Sequence, residues 1–225
     1  MVAQAQRAEP RPDTAGSEII YPESDGRPMA DNTKQFRWIV TIEGGLEALF
    51  RDDPNVFVAG DLLWYPVEGR PDICAAPDAM VVFGRPKGDR GSYLQWREGG
   101  IAPQVVFEVL SPNNSASEMY EKLRFYDRYG VEEYYVYDPD RGTLYGWQRN
   151  ASGSLVPIQE MQGWVSPRLG VRFALEEGEL RLYRPDGEPF ATYAEVVARA
   201  EQERQRAERL AAQLRALGIE PEAGD

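Results

Sequence analysis

Residues 103–115 read PQVVFEVLSPNNS, and Glu108 interrupts a run that is otherwise apolar on both alternating faces. Strand side chains alternate, so Val106, Glu108 and Leu110 point one way while Val105, Phe107 and Val109 point the other. A strand of this kind belongs inside a sheet covered by helices on each side. Breaking a buried charge pair there costs on the order of 3 to 5 kcal/mol, so the carboxylate requires compensation. An arginine in a buried ion pair would do, as would a metal ion or a catalytic neighbour.

Composition narrows the chemistry. The chain has 225 residues and no histidine, which removes the Ser/His/Asp triad, the Cys/His dyad and the usual zinc hydrolase. Cys74 is the single cysteine, so intrachain disulfides and zinc sites built from several cysteines are excluded. What is left is carboxylate, lysine and tyrosine, with Mg²⁺ or Mn²⁺ as the hard cation that oxygen ligands suit. The formal net charge of −12 argues against a bulk nucleic-acid coat or attraction to an anionic membrane, so a polyanion must be met locally. No apolar run of about 18 residues could span a bilayer, and MVAQAQRAEPRPDTAGSE has no apolar signal core. The expectation is a cytoplasmic protein with no membrane partner.

The periodicities predict α/β (α+β) architecture with a mixed sheet. Residues 1–30 are rich in Pro, Ala and charge and read as a disordered tail. A helix is expected over 33–50, then strands in VFVAGDLLWYPVEG, APDAMVVFG and PQVVFEVL. A second helix runs from about Ser117 to Tyr129, with Ser115 and Glu118 at capping-box spacing and Gly130 at its end. EEYYVYDP and three further short strands complete a domain over 31–189. Beyond it Tyr193, Val196, Ala200, Glu203, Ala207, Leu210, Leu214 and Leu217 fall on an a/d heptad register with one charged lapse. Residues 190–217 therefore read as a coiled-coil helix, with a homodimer as the expected assembly and 218–225 as a tail.

Two more residues join Glu108. Asp78 runs directly into the apolar strand AMVVF, although an Asp after Pro77 is also an ordinary turn cap. On a wheel of about 100° per residue, Met119, Leu123 and Tyr126 define the apolar face of SEMYEKLRFYDRY, and Lys122 falls inside that arc. It either snorkels outward, pairs with Glu118 one turn earlier, or delivers an ammonium toward the sheet. An aspartate, a glutamate and a lysine meeting at one point suit metal-assisted phosphodiester hydrolysis, with the lysine orienting the nucleophile or stabilising developing charge.

PDAMVVF, PQVVFEVLSP and EKLRFYDRYGVEEYYVYDP together resemble the PD-(D/E)XK nuclease superfamily and, within it, the Uma-two restriction endonuclease family. The likeness runs from about Asn32 to Phe173. The superfamily lysine stands two residues after the glutamate, where this chain has Leu110, so the resemblance implies that the lysine has moved to Lys122. It also implies Asp78, Glu108 and the Val109 carbonyl as ligands of Mg²⁺ or Mn²⁺, and offers Glu43 as a carboxylate on the first helix.

For substrate, GRPKGDRGSYLQWREGG supplies Arg85, Lys87, Arg90 and Arg97 interleaved with Tyr93 and Trp96. Such a loop would meet DNA phosphates and stack on unpaired bases, unless it is an ordinary solvated loop. The expectation is a metal-dependent DNA endonuclease. The alternative is a catalytically silent nuclease-fold module that binds nucleic acid or a partner protein through its coiled coil. A glycosidase built on Glu108 would leave Lys122 without a role.

Overall fold

In the computed structural model, which describes residues 19–26 and 28–218, the sequence periodicities become three helices and ten strands among the described residues. Of the tails read over 1–30 and 218–225, residues 1–18, 27 and 219–225 lie outside them. Helix α1 (Thr33–Leu49) is followed by β1 (Val56–Ala59), β2 (Trp64–Tyr65), β3 (Ala79–Phe83), β4 (Tyr93–Leu94) and a 3₁₀ turn over Gln95–Glu98. Then come β5 (Val105–Val109), α2 (Ala116–Tyr129), β6 (Glu133–Asp138), β7 (Thr143–Arg149) and β8 (Leu155–Pro157). The chain ends in the hairpin of β9 (Arg172–Glu176) and β10 (Glu179–Tyr183), then α3 (Tyr193–Ala216).

The central sheet has six strands in the order β1-β3-β5-β6-β7-β8. It is mixed: β5 and β6 run parallel, joined by the α2 crossover, while β1, β3, β7 and β8 pair antiparallel. Parallel neighbours need such a crossover, and it covers the face it crosses. Both faces are accordingly filled. On one side Ile39, Ile42 and Leu46 of α1 meet Val81, Val105, Phe107 and Val109, with Phe173 and Leu180 of the hairpin closing the layer. On the other, Tyr126 of α2 meets Met80, Val106, Tyr134 and Val136.

Local chemistry explains the element ends. Asn32 caps α1 by accepting from the backbone N–H groups of Lys34 and Gln35. Ser115 caps α2 through Glu118 N–H, and Gly130 ends it at a left-handed φ of 98°. Gly45, inside α1, is required by packing: a Cβ there would lie 2.1 Å from the Phe190 ring. The last turns of the stretch read as a tail lie against the body. Tyr21 packs 5.3 Å from the Tyr65 ring and 4.9 Å from Trp96, and Tyr65 donates to the Pro22 carbonyl at 2.8 Å.

Candidate active site

The strand that carries Glu108 alternates as its sequence requires. Val105, Phe107 and Val109 face α1, whereas Val106 and Glu108 face α2. Glu108 is 3% exposed, so its charge has to be answered by α2. Lys122 Nζ donates to Glu108 Oε2 at 2.7 Å, and the Tyr126 hydroxyl donates to Oε1 at 2.5 Å. Lys122 and Tyr126 sit one turn apart on the same helix face, so one element serves both carboxylate oxygens. Among the described residues neither an arginine nor Glu118 takes the partner's role. Glu118 instead accepts from the Asn114 amide at 3.4 Å.

Asp78 immediately precedes β3. The antiparallel register pairs Ala79 with Phe107, so its continuation sets Asp78 beside Glu108. Asp78 Oδ2 accepts from the backbone N–H of Val109 at 2.6 Å. Burial pushes the Asp78 carboxyl well above its ordinary value, and the Glu108 charge adds to the rise; Lys122 and the Val109 N–H oppose it. Burial lowers Lys122, but the charge and hydrogen bond of Glu108, together with the charges of Asp78 and Glu118, outweigh that cost and hold the ammonium above its ordinary value. Tyr126 is raised well above the usual phenol range by burial and then by Glu108, so its hydroxyl stays a donor.

The Val109 carbonyl accepts from the Gln35 side-chain amide at 2.8 Å. Gln35 in turn accepts from the Asp31 N–H at 2.8 Å, and the Ser111 hydroxyl donates to the Asp31 carboxylate at 2.5 Å. The end of β5 is thus fixed from α1.

Asp78, Glu108, Val109, Lys122, Gln35 and Asp31 line one cleft of about 1180 Å³. Its walls carry Asp25, Asp31, Asp61, Asp78, Glu108, Glu118, Glu121 and Asp127 against Lys122, Arg124 and Arg128. Such a wall repels phosphate unless cations enter first. Among the described residues no cluster of three or more His, Cys, Asp or Glu has metal-holding spacing. The oxygen donors gathered here that could hold a cation are Asp78, Glu108 and the Val109 carbonyl. That donor set fits Mg²⁺ and Mn²⁺, which accept oxygen ligands and, for Mg²⁺, keep several waters beside one or two carboxylates.

Asp78, Glu108, Lys122 and Val109 come together, and the basic loop does not join them. Arg85 and Arg90 both bind Glu98, at 2.9 and 2.8 Å, and Lys87 binds Glu47 at 2.8 Å. Arg90 also lies 3.9 Å over the Phe57 ring. Arg97 is exposed on the 3₁₀ turn, and none of the four lines the cleft. Glu43 lies outside the cleft too, beside Gly60, with its carboxyl raised by burial and by Glu47.

Three residues have no site role in the sequence reading: Gln35 and Asp61, which line the cleft, and Tyr126, which is buried beside it against Glu108 and reads from sequence only as part of an apolar helix face. Asp61 has a φ of 49°, uncommon for a residue with a side chain, and its N–H is held by the Pro77 carbonyl at 3.0 Å. Burial raises its carboxyl, Asp25 adds to the rise, and Lys122 opposes it.

The family model described as "Putative restriction endonuclease", Uma2, matches residues 26–176, more than half of the chain. The chain belongs to the Uma2 family. Membership sets it among nucleases, whose substrate is nucleic acid and whose restriction-endonuclease-like relatives generally use divalent metal ions. No curated protein matches. Among solved structures, the Uma2 chain is similar to one described as "a putative nuclease belonging to DUF820" from Anabaena variabilis ATCC 29413. The two are 16% identical, the match covers 60% of this chain and 72% of that one, and the TM-score is 0.45. No helix among the described residues is long and apolar enough to cross a membrane.

Proposed function

We propose that the protein is a metal-dependent DNA endonuclease that hydrolyses phosphodiester bonds in this cleft. One observation carries the reading: two carboxylates and a lysine, from the residue before β3, from β5 and from α2, converge where, among the described residues, eight acidic side chains face three basic ones. Asp78, Glu108 and the Val109 carbonyl would hold Mg²⁺ or Mn²⁺. When bound, the cation supplies Lewis-acid stabilisation of phosphoryl oxygens and lowers the pKa of water.

The chain's own residues do the rest. Tyr126 and Lys122 fix the rotamer of Glu108, and the Val109 N–H fixes Asp78. Lys122, held protonated, keeps a positive charge where a phosphorane would gain negative charge. Arg124 and Arg128, on the cleft wall, are cations that could meet the flanking phosphates. Arg85, Lys87 and Arg90 would first have to leave their carboxylate partners.

The test is cleavage of supercoiled plasmid and single-stranded DNA with Mg²⁺ or Mn²⁺, comparing wild type with Asp78→Asn. Cutting that disappears with EDTA and in the variant is the expected result. A folded wild type inert on both substrates overturns the reading in favour of a silent binding module.

A further inference from the structure

Among the described residues helix α3 meets the body through an ion pair near its start, Arg199 with Glu188 at 3.5 Å, while its apolar residues are left uncovered. From Tyr193 to Leu210 every residue is exposed, including Tyr193 at 82%, Val196 at 51% and Leu210 at 51%. Leu214 and Leu217 add 37% and 75%. A 24-residue helix spans about 36 Å at 1.5 Å per residue, and helices in water owe most of their stability to packing of an apolar face. The Thr192–Glu195 capping box secures its start, but nothing among the described residues covers its seam.

We infer that α3 pairs with α3 of a second copy, and that the two helices run antiparallel. The seam is nearly palindromic. Turned end for end, Tyr193 faces Leu217, Val196 faces Leu214, Ala200 faces Leu210 and Glu203 faces Ala207. Large residues meet large ones at the ends, and alanines let the axes approach at the centre. A parallel, in-register pair would instead set Glu203 against its own copy across the seam, a like-charge contact that costs stability.

Charge gives the same orientation independently. The first half of α3 carries Glu195, Glu201 and Glu203 against Arg199; the second carries Arg204, Arg206, Arg209 and Arg215 against Glu208. Antiparallel pairing lays the acidic half on the basic half. It also brings Glu203 beside Arg204 and Arg206 of the other copy, the side chains that flank the seam. The inference goes beyond the nuclease reading and does not depend on it.

Light scattering on the full chain should give about twice 25.4 kDa. The Leu210→Glu/Leu214→Glu variant should be monomeric with unchanged thermal unfolding of the body, because neither leucine belongs to its core. Orientation is read by oxidation in a Cys74→Ala background. Val196→Cys and Leu214→Cys proteins should cross-link when mixed and fail to do so separately. A monomeric wild type, or a dimer that survives the double glutamate, overturns the pairing. Self-cross-linking of either cysteine protein overturns the antiparallel orientation.

Discussion

Lys122 and Glu108, fourteen positions apart on a helix and a strand, meet at 2.7 Å with the carboxylate side chain only 2% exposed. Removing the lysine alone leaves a buried charge without its counter-ion. Lys122→Met is expected to cost about 3–5 kcal/mol in denaturant titration. Lys122→Met/Glu108→Gln should recover most of that loss, since the charge is then gone as well. Equal stability of the single variant and wild type would contradict the buried pair.

Asp78 sets a pH dependence of the metal-free protein. Its carboxyl is raised above 3.8, so the folded state keeps a proton at pH values where the unfolded chain has released it. Stability therefore falls as pH climbs from 3.8 to the folded value and stays lower above it. Asp78→Asn removes this penalty while preserving an acceptor for the Val109 N–H. It should melt higher than wild type at neutral pH, by about 2–4 °C per kcal/mol for a chain of this size. The difference should vanish in acid, as scanning calorimetry across pH would reveal.

Tyr126 contributes through its hydroxyl and not only its ring. Tyr126→Phe keeps the stacking on Trp64 but leaves Glu108 Oε1 without its donor. A loss of about 1–3 kcal/mol is expected. An unchanged midpoint would reduce the tyrosine to core packing.

Gln35 ties α1 to the Val109 carbonyl, so Gln35→Leu has two separable effects. The metal-free protein should lose about 1–2 kcal/mol, the worth of its broken hydrogen bonds. The thermal shift on adding Mn²⁺ should also shrink, because the carbonyl is no longer held in place. A full Mn²⁺ shift in a destabilised variant would confine Gln35 to the fold.

Much of this site is legible in the chain because its signals are violations of periodicity. Glu108 breaks an apolar strand and Lys122 breaks an apolar helix face, and the two breaks answer each other. Tyr126 carries no such signal: on a wheel it counts as core, and its hydroxyl's partner, Glu108, lies 18 positions away on a strand, outside any local pattern. Gln35 reads as a solvated residue until the end of β5 is laid beside α1. Asp61 depends on a left-handed φ that nothing in AGDLL announces. The basic loop shows the opposite failure. Counting charges in GRPKGDRGSYLQWREGG identifies cations but not that Glu98 holds two of them and Glu47, from a distant helix, a third.

Placing the lysine on α2 rather than on β5 changes what the site is made of. A lysine two residues along the strand would be carried by the same rigid ladder as its glutamate. Here the positive charge arrives only when a separate helix is docked, and that helix is joined to the sheet through its own loop at each end. Transient detachment of α2 would strip Glu108 of both donors at once, so the grouping on which the proposed site depends exists only while the helix is docked.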